Sequence, residues 1–214
     1  MKNEIGLRAQ EMGSRRWLRA ARSLGSSIVL LLAACGATNG DDPQHLGTAL
    51  LGTWTSKDCE QAGPSLSRRR TYLFSAAGAD ITYDLYAGAA CQGGPKVMTV
   101  ETRGNATFVE PSPKVPGATD VIFTFTSRAI KPTAAGVNAL TQACGQYAWM
   151  PDVEVDITKD GCGSLVQGDT ECPVEYDLAE LSANVAYFGD RSHPLCSVDT
   201  RPTMLAQWGV VKQP

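Results

Sequence analysis

The sequence predicts an all-β fold: an antiparallel β-barrel, closed or half-open, with one short helix and disulfides. Three observations carry that expectation. From Gly52 onward, β-branched and aromatic residues alternate with polar ones at period two, in short segments bounded by Gly, Pro, Asn and Asp. The strand–helix alternation of a parallel sheet is missing, because residues 133–143 alone carry helical spacing. Finally, Cys59, Cys91, Cys144, Cys162, Cys172 and Cys196 make an even set, which suits a fold stapled by three disulfides. A closed or nearly closed barrel is favoured because closure removes exposed strand edges. A β-sandwich is the alternative.

The elements follow in order. Residues 51–56 (Leu-Gly-Thr-Trp-Thr-Ser) open the pattern. Residues 70–74 and 81–86 flank Ala77-Gly78-Ala79-Asp80 and read as a hairpin around a glycine turn. Residues 97–103 form the next strand, and Gly104-Asn105 is expected to turn it into a strand over 106–110. Pro111, Pro113, Pro116 and Gly117 mark a loop. Residues 121–126 are the clearest strand, with Val121, Phe123 and Phe125 on one face. Ala134, Val137 and Leu140 are spaced by three, so a helix is expected over 133–143, with Thr133 as N-cap and Gly145 as stop. Strands resume at 153–157, 174–181 and 184–188, with a last one over 204–211. A barrel of about eight strands has an interior that side chains fill, or that holds one small ligand.

Ahead of the barrel lies an export signal. Arg15, Arg16, Arg19 and Arg22 precede an apolar run over 28–32, and small residues follow. Leu32-Ala33-Ala34-Cys35 resembles the lipobox of bacterial lipoproteins. In that family the cysteine thiol takes a diacylglyceryl thioether, the peptide is cut before it, and the new amine is acylated. The run is shorter than the ~20 residues a spanning helix needs. The expected organisation is a signal peptide over 1–34, a polar tether over 35–46 beginning with lipidated Cys35, and a barrel domain over 47–214. Met12 offers a second start. Gly36 stands where an Asp would favour the inner membrane in enterobacterial sorting, so the outer membrane is the expected address.

Charge and composition exclude several function classes. Removing the six Lys/Arg and two Asp/Glu before Cys35 from the 19 and 22 of the whole chain leaves 13 and 20, a formal charge of −7. Nucleic acid, which needs clustered cations, is not an expected partner. Electrostatic docking on anionic lipid is not expected either, so the membrane link is the acyl anchor alone. The cysteines lack a Cys-x-x-Cys pair, and His45 and His193 sit in polar, loop-like sequence. No metal and no cofactor are therefore expected. By count alone, 15 disulfide connectivities stay open.

Gly52-Thr53-Trp54 resembles the Gly-x-Trp that closes the base of lipocalin barrels. A longer string is more specific: Gly52-Thr53-Trp54-Thr55-Ser56-Lys57-Asp58-Cys59-Glu60, then Gly63-Pro64, then Arg70-x-Tyr72-x-Phe74. It is followed in order by Cys91 and Pro95, Gly117-Ala118-Thr119, Cys144, Trp149, Cys162, Leu165 and Glu175. Tyr187-Phe188-Gly189-Asp190 and Arg201-Pro202-Thr203 complete the series. This order, over residues 50–207, resembles the adenomatosis polyposis coli down-regulated (APCDD) domain family. Animal members are membrane-anchored extracellular antagonists of Wnt signalling, with two barrel-like domains thought to take up the lipid carried by Wnt. This chain departs from them in having one such domain and a lipobox. The resemblance implies a lipid or acyl chain as ligand, free or on a lipidated protein. It also implies a pairing. Cys59, Cys91, Cys144 and Cys162 fall where the family has cysteines, while Cys172 and Cys196 are extra, giving Cys59–Cys91, Cys144–Cys162 and Cys172–Cys196.

The residues expected to line the barrel interior are Trp54, Arg70, Tyr72, Phe74, Tyr83, Leu85, Met98, Val100, Phe123, Phe125, Val155 and Tyr176. A fully packed core has the same signature, since binding pockets are themselves mostly apolar. Asp152, Glu154 and Asp156 are expected on one solvated strand face, with a calcium or paired-carboxylate site as the sharper alternative. Arg68-Arg69-Arg70 reads as a positive strand edge or an anion contact. Glu60, Glu175 and Asp177 are isolated acids in sequence. Without a Gly-x-Ser-x-Gly, His-Glu-x-x-His or phosphate-loop motif, no catalytic set is expected. The function expected is a lipid-anchored binder of a hydrophobic ligand. Two alternatives stand beside it: an envelope protein-interaction module with a packed barrel, and an enzyme acting on an envelope lipid or glycan.

Overall fold

The computed structural model describes residues 42–214; the signal, Cys35 and the start of the tether lie outside them. Ten strands form one antiparallel sheet: β1 (Gly52–Ser56), β2 (Glu60–Gly63), β3 (Leu66–Ser75), β4 (Gly78–Ala87), β5 (Lys96–Pro111), β6 (Thr119–Pro132), β7 (Val155–Asp156), β8 (Glu175–Ser182), β9 (Val185–Phe188) and β10 (Val210–Lys212). Two helices, α1 (Pro43–Ala49) and α2 (Val137–Ala143), complete the regular structure with one 3-10 turn at Val198–Thr200. The neighbours run β1-β10-β9-β8-β6-β5-β4-β3, and β3 pairs again with β1, so eight strands close a barrel.

The barrel closes at one end only. β1 pairs with the second half of β3, over Thr71–Phe74, and β8 pairs with the first half of β6, over Thr119–Phe123. Beyond those points β2 takes over beside β3, from Leu66 to Arg68, and β7 takes over beside β6, at Ala129 and Ile130. Among the described residues β2 and β7 do not pair with each other. The other end is therefore an open gutter of β2-β3-β4-β5-β6-β7. Its missing side is covered by loops.

Large apolar side chains pack the closed end. Trp54, Tyr72, Phe74, Phe123 and Phe188 are all buried there, and Tyr72 stacks on Phe188 with ring centroids 4.3 Å apart. The Trp54 indole donates to the Leu50 carbonyl at 2.7 Å, and Lys212 Nζ lies 5.5 Å from the centre of its ring. Helix α1 plugs this end through Leu46, and Asp42 caps it by accepting from the Gln44 N–H at 2.9 Å. Residues 43–46 thus belong to a helix, which corrects their assignment to a flexible tether. Composition hid it: only Leu46 of the seven residues points inward, too few for a periodic pattern.

Other expectations also change. Gly104-Asn105 is not a turn, because β5 runs straight through it opposite β6. The register shifts there, leaving Thr126 of β6 as a bulge whose hydroxyl donates to the Arg103 carbonyl at 3.2 Å. A side chain at Gly104 would run into the Thr124 carbonyl, so the glycine permits close approach of the strands at the bulge. The bulge also switches the inward set of β6 from Val121, Phe123 and Phe125 to Arg128, Ile130 and Pro132. Thr133 does not cap α2. It donates to the Lys96 carbonyl at 2.6 Å, and the helix starts after Gly136. The expected strand over 153–157 shrinks to two residues and the one over 204–211 to three. Asp152, Glu154 and Asp156 do not form a strand face. Asp152 sits in a turn at φ 63°, and all three are exposed.

The disulfides are Cys59–Cys91, Cys144–Cys162 and Cys172–Cys196, with Cα atoms 5.6, 5.1 and 4.9 Å apart. This is the pairing that the resemblance implies. They staple the parts the sheet leaves loose: the β2 side of the gutter, the excursion after α2, and the strap before β10. Such bonds persist in oxidising compartments and point to a place outside the cytoplasm. Among the described residues no helix is long and apolar enough to cross a membrane. Residues 42–214 hold the closed barrel, both apolar clusters and every disulfide, so the part described has its own complete core.

Candidate functional site

A cavity of about 670 Å³ occupies the open end of the barrel. Its inner wall is made by inward positions of three neighbouring strands: Leu66 and Arg68 of β3, Tyr83 and Leu85 of β4, and Met98, Val100 and Thr102 of β5, with Phe125 of β6 beyond them. Register explains the grouping. Leu85 lies opposite both Arg68 and Met98, and Tyr83 opposite both Arg70 and Val100. The outer wall comes from two loops, residues 163–167 and 191–195.

Those loops are held in place by buried side chains. Arg128 points inward from β6, pairs with Asp169, and donates to the Cys172 carbonyl at 2.8 Å. Its guanidinium carbon lies 4.9 Å from the Phe125 ring centre. Leu140 of α2, Trp149 and Ile157 pack with Ile130 into a second apolar cluster beside the cavity. On the outside of β8, Arg201 pairs with Asp120 and lies over Tyr176, its guanidinium carbon 5.5 Å from the ring centre, fixing the strap that follows.

The floor is ionic. Glu60 is buried and bridges two arginines, accepting from Arg70 Nε at 2.7 Å and Arg68 Nε at 3.0 Å. Ser56 also donates to Glu60, at 2.7 Å. The two terminal nitrogens of Arg70 donate to the Tyr72 hydroxyl at 3.0 Å and the Trp208 carbonyl at 2.8 Å. Opposite, Arg191 donates to Glu175 at 2.9 Å and to Asp177 at 2.6 Å. Asp177 also accepts the backbone N–H groups of Leu178 at 2.8 Å and Gly189 at 3.0 Å.

Burial and charged neighbours set the proton affinities between them. Burial pushes the Tyr83 phenol above its ordinary range, against the pull of Arg191, so this hydroxyl stays neutral. Burial alone would lower Arg191 and Arg70, but their acidic and phenolic neighbours outweigh it and both stay charged. Asp177 is raised by burial, with Arg191 and the Leu178 N–H opposing.

Of the twelve expected interior residues, Tyr83, Leu85, Met98, Val100 and Phe125 meet in the cavity. Trp54, Arg70, Tyr72, Phe74 and Phe123 are inside the barrel, packed beneath it. Val155 packs against the second apolar cluster and does not line the cavity. Tyr176 is a correction. It pairs with Ile122 on the outer face, which turns Glu175 and Asp177 inward. In the sequence, strand parity alone allows either set to face in. Arg191 supplies what the sequence concealed, a loop cation 16 residues after Glu175 and 14 after Asp177 that pairs with both. The arginine run is likewise no edge: β3 has neighbours on both sides, with Arg68 and Arg70 turned in and Arg69 out.

Two other arrangements bear on chemistry. Ser192 donates to Asp190 and lies 3.3 Å from His193 Nδ1, while His193 Nε2 faces the Thr200 carbonyl at 3.0 Å. The serine stands between acid and histidine, so the relay of a hydrolase triad is not built. Among the described residues no group of three or more His, Cys, Asp or Glu is placed to hold a metal ion. No protein-family model and no curated protein matches the chain.

Proposed function

We propose that this protein is an extracytoplasmic lipoprotein, anchored through Cys35, whose barrel takes up a hydrophobic or lipidic ligand and sequesters or carries it. The observation that carries the reading is the contrast inside one barrel. One end is filled with aromatic rings, and the other leaves about 670 Å³ behind an apolar wall. That volume lies within the range of small-molecule sites, roughly 300–1,000 Å³. An acyl chain entering it would gain roughly 0.8 kcal/mol for each methylene removed from water. The ordered motifs that resemble the APCDD family support the same reading, and with them a lipidated protein as one source of the chain.

Titration of residues 42–214 with the uncharged dye N-phenylnaphthylamine tests the cavity. Saturable fluorescence is expected, weakened about tenfold or more when Val100→Trp fills the wall position. Dye binding unchanged in that variant would refute the site. For the anchor, Cys35→Ser in the full chain should move the protein from the membrane to the soluble fraction. A variant that stays on the membrane would remove Cys35 from the account.

A further inference from the structure

We infer that the cavity selects lipids whose polar group is net neutral and carries both charges, a zwitterion, and rejects anionic ones of the same chain length; the inference rests on the lipid-binding reading above. It comes from counting the fixed charges at the polar end. Arg68, Arg70 and Glu60 form one contiguous group with a net single positive charge. Arg191, Glu175 and Asp177 form a second, with a net single negative charge when both carboxylates are ionised against the one guanidinium. The two cancel, and the exposed Glu171 also borders the cavity; the members that reach it are Arg68 from the first group and Arg191 and Glu175 from the second, with side chains 27%, 17% and 19% exposed.

Unused hydrogen-bonding capacity lies on those same members. Arg68 spends only Nε on Glu60, so both its terminal nitrogens lack a partner among the described residues. Glu175 engages Arg191 through Oε2 alone, leaving Oε1 free. Tyr83, which also lines the cavity, makes no side-chain hydrogen bond among the described residues, and Arg68 sits with its guanidinium carbon 5.9 Å from the ring centre. A ligand bearing an anionic oxygen and an ammonium satisfies Arg68, Tyr83 and Glu175 together. A ligand with the anion alone adds an uncompensated charge to a half-buried site whose cations are already matched by carboxylates, and leaves Glu175 facing it.

The test is displacement of N-phenylnaphthylamine from residues 42–214 by lysophosphatidylethanolamine and lysophosphatidylglycerol of equal chain length. The zwitterion should compete at least about tenfold better. Glu175→Gln, which leaves Arg191 its Asp177 partner, should narrow or reverse that ratio by removing the carboxylate that would face the ligand's ammonium. Equal or better competition by the glycerol lipid, or a ratio unmoved by Glu175→Gln, overturns the selectivity. Failure of the dye and of both lipids to bind overturns the lipid-binding reading itself, and the selectivity with it.

Discussion

The closed and open ends of this barrel are built from the same strands and differ in what their inward positions carry. On β3, Tyr72 and Phe74 serve the closed end while Leu66 and Arg68 serve the open one. On β6 and β9, Phe123 and Phe188 complete an aromatic stack, with Phe123 and Phe125 nearly parallel at 5.9 Å and Phe188 on Tyr72 at 4.3 Å. At the open end Met98, Val100 and Leu85 are slimmer, and the charged side chains fold back on one another along the floor. Hollow space in a small barrel therefore comes from two local choices: shorter apolar residues on the wall, and ions paired sideways instead of pointing across. The same split appears in the backbone, where β1 and β8 give way to β2 and β7 and the ring opens.

The largest effects should come from the closed end and the buried ions between the two. Phe188→Ala should cost about 3–5 kcal/mol by opening a void in packed aromatics. Glu60→Ala should cost a similar amount, because it strands Arg70, whose side chain is 1% exposed. Urea denaturation measures both; losses below about 1 kcal/mol would mean the closed end is not the folding core. Removing the strap's staple by Cys172→Ser with Cys196→Ser should cost about 3 kcal/mol, since the bond closes a loop 24 residues in separation. On the cavity wall, Met98→Ala should cost about 2 kcal/mol, the low end of such changes, because its side chain already borders empty space. A loss matching Phe188→Ala would show both ends equally packed.

The smallest effect is a pH dependence. Folding raises the Tyr83 pKa from its ordinary value of 10.0, so the folded state holds that proton more tightly. The stability this gives is complete below pH 10 and is lost as pH climbs through the folded value. Thermal melts at about pH 9 and about pH 11 should show wild type losing more stability than Tyr83→Phe. Equal losses would place the phenol in a water-like setting.

How much of this was legible in the sequence follows the same division. The closed end was readable because its physics is local: Trp54, Tyr72, Phe74 and Phe123 alternate with polar residues and can only face inward. The cavity wall was half readable, since Leu85, Met98 and Val100 look the same whether they touch side chains or space. The floor was not readable. Its pairs join Arg68 to Glu60 across a hairpin and Arg191 to Glu175 and Asp177 across a loop, and only register turns those groups toward each other. The bulge at Thr126 was equally hidden, because a glycine within a strand pattern fits a turn as well as a close approach.

Native mass spectrometry of residues 42–214, beside the Val100→Trp variant, tests the central claim most directly. The account predicts a lipid-sized adduct on the wild-type barrel after exposure to lysophosphatidylethanolamine, and none on a Val100→Trp barrel that keeps its three disulfides. A wild-type barrel that stays free of lipid, or a variant that carries it equally well, would contradict the claim.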